Sequence, residues 1–408
     1  MDPLSNPYTP NAGATPPLLV GRADQLETFD LLLARLATGR TEQSMIITGL
    51  RGVGKTVLLN EFRKKAAQKE WAVIELEVKK HEDEGFRRAI AMEARKALLE
   101  LSPKARWSDR MKATANVLRS FTVGIDPEGR LTVGLGAIVQ EGSADSGDLG
   151  ADLSDLFVAL GEAAKDSGRG VILLIDEIQF LSKPQLEAAL MSIHKAVQRE
   201  VPITLVGAGL PQIAQLAGEA KSYAERLFKF PVIDVLSPED AGAALTGPAS
   251  DQGVIFDADA LTLALEVTGR YPYFLQELGY ALWAEVSDMR VHLNDVEDAM
   301  VVFESKLDSS FFKVRLDRTT ELERAYLRAM AELGPEPQLA GEVAQLLQRT
   351  SQQVGPTRSQ LIDKGLLYTP SHGYAAFTVP HFDRFMKRAV PILDVPAVRA
   401  RRRRFADD

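Results

Sequence analysis

Short apolar runs alternate with helical patterns along the first half of the chain. Five of these runs have the composition and length of β-strands, and the segments between them show the 3.6-residue period of amphipathic helices. The predicted strands are 44–48, 72–78, 171–175, 203–207 and 232–235. Apolar strands separated by helices are typical of a parallel sheet that is covered on both faces. The pattern therefore predicts an α/β base at 18–236, built on a five-stranded parallel sheet.

One stretch of the base departs from this alternation. Residues 121–125 and 130–135 resemble two short strands around a Pro/Gly turn, and the Gly/Ser/Asp-rich stretch 141–150 resembles a linker. Together they predict an insertion at about 120–150. It is either a surface hairpin or a contact for a partner or for DNA.

The second half of the chain is predicted to hold two smaller domains. Helical patterns at 237–315 predict an α-helical lid. Residues 316–390 show a helix, a short helix, a turn, a third helix and two strand-like runs, which is the order of a winged helix-turn-helix. The third helix, at about 351–363, would present side chains that can reach bases or phosphates. These candidates are Gln352, Gln353, Thr357, Arg358 and Gln360.

Composition and charge limit the partners and the compartment. The chain has 408 residues, no cysteine and a net charge of −8. The absence of cysteine excludes disulfides and thiol-based zinc sites and favours the cytoplasm. No apolar stretch is long enough for a membrane span, and residues 1–17 are expected to be a flexible arm rather than a signal peptide. We expect the basic tail at 391–408 either to grip phosphates or to remain solvated.

The winged helix itself is nearly neutral. Residues 316–390 contain nine Lys or Arg against eight Asp or Glu, which is a weak electrostatic footprint for DNA. Modules of this shape also dock proteins. The sequence therefore leaves both double-stranded DNA and a protein partner open.

A phosphate-binding loop follows the first predicted strand. Gly49 to Thr56 read G-x-x-x-x-G-K-T, with a helical pattern after them. Glycines let successive backbone N–H groups face the phosphates, the lysine adds a positive charge, and the threonine hydroxyl can bind Mg²⁺. The nucleotide-binding candidates of this loop are Gly49, Arg51, Gly52, Val53, Gly54, Lys55, Thr56 and Val57.

Two acidic residues end the apolar strand at 171–175. Asp176 is placed to hold Mg²⁺ together with Thr56, and Glu177 is placed to orient or deprotonate an attacking water. The alternative is a solvated acidic pair that closes a strand. The phosphate loop favours the functional interpretation. Glu177 and Lys55 are the catalytic candidates within the α/β domain at 18–236.

These motifs resemble those of AAA+ ATPases, on the branch shared by replication-initiator proteins of the origin-recognition type and STAND regulatory ATPases. Val20, Gly21 and Arg22 are similar to the box that packs beside adenine in that group. The segment 222–228 is similar to the one that carries an arginine finger, which implies that Arg226 acts on a neighbouring subunit. Gly269 to Tyr273 is similar to the G-x-P signature, which implies a nucleotide contact by Pro272.

Two departures from the family accompany this resemblance. The fourth strand does not end in the asparagine that positions water in these ATPases, and Pro272 stands where many carry a sensing arginine, although Arg270 is two residues away. The resemblance implies ATP or ADP binding with Mg²⁺ and, with these departures, slow hydrolysis. The expected protein is a nucleotide switch that controls DNA binding or assembly, and the role implied for Arg226 makes a homo-oligomer its expected active form. The alternatives are a STAND-type signalling or defence adaptor and an ATPase that remodels a partner.

Overall fold

The computed structural model describes residues 2–78, 83–102, 108–123, 144, 146–286 and 288–396. The chain divides into two units, Met1–Val296 and Glu297–Asp408. The predicted basic cluster at 399–404 lies outside the described residues. Within the described residues, no helix is long and apolar enough to cross a membrane.

A five-stranded parallel sheet forms the centre of the first unit, so the predicted α/β fold is confirmed. Its strand order is β2-β3-β4-β1-β5. The strands are β1 Ser44–Thr48, β2 Ala72–Glu77, β3 Val171–Asp176, β4 Ile203–Gly209 and β5 Phe228–Lys229. The three central strands are almost completely buried because helices cover both faces of the sheet. β4 lies between β1 and β3, so one strand separates β3, which carries Asp176, from the strand that leads into the phosphate loop.

The fifth strand is misplaced in the sequence prediction. The run 232–235 was expected to form it, but the ladder with β1 is made by Phe228 and Lys229, which pair with Ser44 and Met45. Val232 forms only an isolated bridge with Thr48. The apolar run after Pro231 looks like a strand by composition alone, and tertiary pairing selects the preceding residues instead.

Eight helices precede β5 or connect the strands of the described base. They are α1 Ala23–Ala37, α2 Lys55–Gln68, α3 Asp83–Leu101, α4 Asp109–Val123, α5 Leu149–Asp166, α6 Lys183–Gln198, α7 Ile213–Ala220 and α8 Ala224–Leu227. The apolar faces of α3 to α8 form one core with the sheet. The start of α6 is fixed by a capping box between Ser182 and Gln185.

The predicted insertion at 120–150 is only partly described. Residues 121–123, expected to begin a strand, form the end of α4, and Phe121 is fully buried in the core. Leu149 and Gly150, expected in a linker, begin α5. Burial of the apolar helix face outweighs the local β propensity of Phe, Thr and Val. Residues 124–143 lie outside the described part of the chain.

Three helices follow the sheet, and we call them the lid. They are α9 Pro238–Ser250, α10 Ala258–Thr268 and α11 Pro272–Glu285. A short parallel ladder, β6 Ile255–Phe256 with β7 Arg290–Val291, completes this part of the unit. Ser237 caps α9 by accepting a hydrogen bond from the backbone N–H of Asp240.

The segment predicted as a flexible arm packs against the lid instead. Tyr8 is only 3% exposed, and its hydroxyl donates to the carbonyl of Leu245 at 2.5 Å. The Trp283 indole N–H donates to the carbonyl of Asp2 at 2.9 Å. Further along, the side chain of Asn60 on α2 donates to the carbonyl of Gly13 at 3.2 Å. This N-terminal strap, residues 2–14, therefore contacts both the lid and the helix that follows the phosphate loop.

The second unit contains short helices and a three-stranded antiparallel sheet of order β8-β10-β9. Its elements, after α12 Leu293–Lys306 and a π-helical turn at Leu307–Phe312, are α13 Lys313–Leu316, α14 Glu321–Leu333, β8 Gln338–Leu339, α15 Ala340–Leu346, α16 Ser351–Asp363, β9 Leu367–Tyr368, β10 Tyr374–Phe377 and α17 Phe382–Ala389. α16 passes through Pro356 without a break. A cluster of Phe312, Phe382 and Phe385 lies in the core of this unit.

Candidate active site

The phosphate loop connects the carboxyl end of β1 to the amino end of α2. Gly52 and Gly54 have φ angles of 88° and 94°, in the left-handed region that favours glycine. α2 begins at Lys55, and among the described residues no side chain caps its first turn. The N–H groups at the start of this 14-residue helix are therefore available to an anion, and the helix dipole favours negative charge at the same point.

Lys55 is buried beneath the loop, with 6% of its surface exposed. Its ammonium donates to the carbonyls of Gly49 at 2.9 Å and Leu50 at 2.7 Å. Burial lowers the pKa of Lys55 from 10.5 to about 8, although Glu177 and Asp176 oppose the shift. A phosphate beside this ammonium would supply the negative charge that the buried group lacks.

Asp176 and Thr56 meet although they lie on different elements. The Thr56 hydroxyl donates to Oδ2 of Asp176 at 2.6 Å. Burial raises the pKa of the Asp176 carboxyl, while the hydrogen bond from Thr56 opposes this rise. A hydroxyl and a carboxylate are oxygen ligands of the kind that Mg²⁺ prefers, and a cation would stabilise this buried carboxylate. The residues present therefore fit the predicted magnesium site.

Glu177 is held on both sides of its carboxylate. Oε1 lies 3.3 Å from Nη1 of Arg51, a residue of the phosphate loop. Oε2 accepts a hydrogen bond from the side-chain amide of Gln179. The backbone of Glu177 has a φ of 52°, a left-handed conformation that is uncommon for a residue with a side chain. Glu177, the predicted general base, is thus placed at the phosphate loop, and Arg51 and Gln179 set the orientation of its carboxylate.

The Val20–Arg22 box is brought to the back of the phosphate loop. Arg22 is 7% exposed, and its guanidinium donates to the carbonyls of Val53 at 3.0 Å and Asp234 at 2.9 Å. Gly21 accepts a third hydrogen bond from Arg22 at 2.8 Å. Arg22 therefore joins the phosphate loop to the segment that leads into the lid. The predicted adenine contact of this box stays a prediction.

The turn between α10 and α11 lies directly on the phosphate loop. The Tyr271 hydroxyl donates to the carbonyl of Arg51, and the backbone N–H of Tyr273 donates to the carbonyl of Gly52 at 3.2 Å. Tyr271 is only 1% exposed. Pro272, the predicted nucleotide contact, is half-buried between these tyrosines at the start of α11. The lid is therefore in contact with the loop that would hold the phosphates.

Arg226 is not brought to the phosphate loop of its own chain. It lies on α8, directly before β5, and β5 pairs with the first two residues of β1. The loop follows the opposite end of β1, a distance of roughly 16 Å along five residues. Arg226 is exposed and forms no ion pair within the described part of the chain. A buried intrachain salt bridge is therefore not its role in this structure.

The candidates on α16 lie in four different environments. Gln352 is exposed. Gln353 accepts a hydrogen bond from the backbone N–H of Thr350 at 2.9 Å and so caps its own helix. Arg358 donates to the carbonyl of Tyr374 at 2.6 Å and to Thr369 at 3.2 Å, which ties the helix to the β9–β10 hairpin. Of the remaining candidates, Thr357 is buried and Gln360 is exposed.

Gln179 and Tyr271 are site residues that the sequence did not single out. Gln179 is a polar residue between Ile178 and Phe180, two positions after the acidic pair, and this is the available signal. Tyr271 lies inside the Gly269–Tyr273 motif, of which the resemblance singles out only Pro272. Gln179 bonds to Leu210, 31 residues away, and Tyr271 bonds to Arg51, 220 residues away, which a local pattern does not reveal.

Comparison with known proteins supports this geometry. The AAA ATPase domain family matches residues 18–206, and a domain of unknown function (DUF8462) matches residues 309–386. No curated protein sequence matches the chain.

Several solved structures resemble the chain. The Walker-type ATPase PABY2304 of Pyrococcus abyssi has a TM-score of 0.57 and 13% identity, over 90% of this chain and 96% of that chain. Cdc6p from Pyrobaculum aerophilum has a TM-score of 0.46 and 14% identity, over 95% and 99%. Orc1 of Aeropyrum pernix, solved in complex with DNA, has a TM-score of 0.43 and 17% identity, over 91% and 94%. The first likeness is one of fold. The family match covers 18–206, the part of the chain that holds both the phosphate loop and the acidic pair.

Proposed function

We propose that this protein is an ATP-binding, slowly hydrolysing AAA+ switch, with its nucleotide site in the first unit and its output in the second. The observation that carries the proposal is the meeting of Thr56 and Asp176, whose oxygens lie 2.6 Å apart beside the buried Lys55. Three side chains from two separate motifs converge at the open start of α2. This is the arrangement that a magnesium nucleotide requires.

Each residue of the site has a role that its surroundings support. The backbone N–H groups from Gly52 to Thr56 and the ammonium of Lys55 would hold the phosphates of ATP or ADP. Thr56 and Asp176 would hold Mg²⁺, which when bound neutralises charge on the phosphate oxygens. Tyr271 keeps the lid on the loop, so a change in the loop on nucleotide binding would reach the lid directly.

Glu177 is the proposed base. Its carboxylate can accept a hydrogen bond from a water molecule and orient that water toward the terminal phosphate. The water would then give up its proton to the carboxylate of Glu177. Its ion pair with Arg51 must open before it can do so. This requirement is one physical reason to expect slow turnover.

We further propose that Arg226 completes the site of a neighbouring copy. It is exposed and lacks an ion pair within the described residues. It also lies next to β5, which pairs with the start of β1, and is therefore too far from its own phosphate loop at the other end of that strand. A guanidinium on a neighbouring subunit can stabilise charge on the transferred phosphoryl group. The active form would then be a homo-oligomer.

The proposed output module is a winged helix-turn-helix at 316–390. Its support is the order α14, β8, α15, α16, β9, β10 and the antiparallel sheet that these strands form. In such a module α16 would be the helix that enters the major groove of DNA. The exposed Gln352 and Gln360 would face the bases, and the tail at 399–404 would add phosphate contacts.

A protein partner is the second candidate for this module, and one observation favours it. Six of the nine Lys and Arg side chains of 316–390 already donate to groups of their own unit. They are Arg324, Arg328, Arg349, Arg358, Lys364 and Arg388. Few cations therefore remain for phosphate contacts, which is more typical of a protein-docking surface than of a DNA-binding one.

The nucleotide site is tested with two variants. Lys55→Ala should weaken ATP binding more than tenfold, or about 1.4 kcal/mol, because it removes the buried positive charge under the phosphates. Glu177→Gln keeps the shape of the side chain and removes the base, so it should retain ATP without hydrolysing it. Unchanged affinity in the first variant, or unchanged turnover in the second, would refute the assigned role of that residue.

The output is tested by fluorescence anisotropy with a labelled DNA duplex, in ATP and in ADP, at about 50 and 200 mM salt. Gln352→Ala should weaken duplex binding without changing thermal stability, whereas Arg358→Ala should also lower stability because it frees the hairpin. Deletion after Pro396 should reduce binding mainly at low salt. If no duplex binds in either nucleotide at low salt, DNA is not the partner, and the protein-docking alternative replaces it.

A further inference from the structure

The side-chain amide of Gln179 connects two strand ends at the candidate site. Gln179 lies in a short 3₁₀ turn, Ile178–Phe180, directly after Glu177. Its nitrogen donates to Oε2 of Glu177, and its oxygen accepts the backbone N–H of Leu210 at 3.0 Å. Since Leu210 directly follows β4, the amide joins the base on β3 to the tip of the neighbouring strand. With its oxygen fixed by Leu210, the amide can present only its N–H₂ group to Glu177.

The tip of β4 carries no polar side chain of its own. It reads Gly207, Ala208, Gly209 and Leu210. A Cβ on Gly209 would lie 2.7 Å from Oε1 of Gln179, closer than such atoms approach each other. The space that a side chain at the end of β4 would occupy is therefore filled by the amide of Gln179. The polar group that the fourth strand lacks in sequence is present in space, and it comes from the turn after β3.

This placement decides the direction in which Glu177 points. Glu177 has a left-handed backbone, and Arg51 and Gln179 each take one oxygen of its carboxylate. Arg51 belongs to the phosphate loop, where it is itself a predicted nucleotide contact. When Arg51 turns to a phosphate, Gln179 is the partner that remains with Glu177. One carboxylate oxygen is then held, and the other is free to accept a proton from water.

We propose that Gln179 is a positioning residue for Glu177, and that it replaces the polar side chain absent from the end of β4. This inference rests on the proposed function, since it concerns the hydrolysis of ATP at the same site. In this role Gln179 neither contacts the phosphates nor transfers a proton. It holds the base in line and contributes nothing to nucleotide affinity.

The main test is Gln179→Met, which keeps the volume of the side chain and removes both hydrogen bonds. Turnover of ATP should fall about tenfold to 100-fold because the base loses its orientation, while the Kd for ATP changes less than about twofold. Gln215→Met is the matched control. Gln215 is exposed on α7, and among the described residues its side chain hydrogen-bonds only to Glu219, so that variant should hydrolyse ATP like the wild type.

A second variant separates positioning from simple packing. In Gln179→Glu the introduced carboxyl is isosteric with the amide, but it can donate to Glu177 only when it is protonated. Its turnover relative to the wild type should therefore recover as the pH falls, whereas Gln179→Met should stay equally impaired at every pH. A loss that is independent of pH in both variants would indicate a packing role and overturn the inference.

Glu177→Gln distinguishes failure of this inference from failure of the proposed function. If Glu177→Gln abolishes turnover and Gln179→Met hydrolyses ATP at the wild-type rate, only the role of Gln179 is wrong. If the wild-type protein and Glu177→Gln do not differ in turnover, the proposed base is wrong, and the inference falls with it.

Discussion

The buried Lys55 should make ATP binding depend on pH in a way that identifies this residue. Burial lowers its pKa to about 8 in the empty site, so part of the protein carries an uncharged lysine near neutral pH. Phosphates favour the charged form and raise the pKa again. ATP binding must therefore take up protons, and ATP affinity must fall when the pH rises above about 8.

The size of the effect follows from the two pKa values. With a pKa of about 8, half of the empty sites are uncharged at pH 8, so binding should take up about 0.5 proton per ATP there and about 0.1 at pH 7. If bound phosphates return the pKa to its ordinary value, affinity should fall by up to about tenfold per pH unit above 8, and by about 150-fold in total at pH 10.5.

Isothermal titration calorimetry at pH 8 in two buffers of different ionisation enthalpy measures this proton uptake. The slope of the observed enthalpy against the buffer enthalpy gives the number of protons bound with ATP. Lys55→Arg is the matched control, because a guanidinium keeps its charge throughout this range and should show almost no uptake. Normal Mg-ATP binding by the wild-type protein without proton uptake at pH 8 would refute the argument from burial.

Three further outcomes are expected. Gly52→Ala should destabilise the nucleotide-free protein by about 1 kcal/mol more than Gly54→Ala in thermal unfolding. Both glycines have left-handed φ angles, but only at Gly52 would a Cβ meet the ring of Tyr271, at 2.9 Å, so equal losses would contradict the lid contact. Arg226→Ala and Glu177→Gln should each lose turnover and partly recover it when mixed; a monomer whose rate per chain is independent of concentration would exclude this. Tyr8→Ala should lower the free energy of unfolding by about 3 to 5 kcal/mol, and Tyr8→Phe should lower it by about 1 kcal/mol. If the strap were free in solution, neither variant would lose stability.

The parts of the site that the sequence predicts are those encoded in one continuous stretch. The phosphate loop needs a strand, two glycines, a lysine and a helix in immediate succession, and all of them lie between 44 and 68. The acidic pair at the end of β3 is equally local. Short-range backbone geometry fixes both motifs, so their amino-acid sequence is sufficient to predict them.

The parts that the sequence misses depend on contacts between distant segments. Nothing near Gln179 indicates that β4 will end in glycines at the place where its amide lies. Arg358 has the helical position of an exposed residue, but the β9–β10 hairpin packs against α16 and the guanidinium donates to the carbonyl of Tyr374. The run at 121–123 has strand composition, but burial of Phe121 keeps it helical. In each case tertiary packing outweighs a local preference.

The N-terminal strap has a consequence for synthesis of the chain. Tyr8 is synthesised well before its acceptor, Leu245, which is 237 residues further along the chain. At typical translation rates of about 5 to 20 residues per second, the strap waits roughly 10 to 50 s before its binding surface on the lid exists. All residues of the phosphate loop are synthesised before those of the lid. Docking of the strap on the lid is therefore a late step of folding, although the strap itself is synthesised before the sheet.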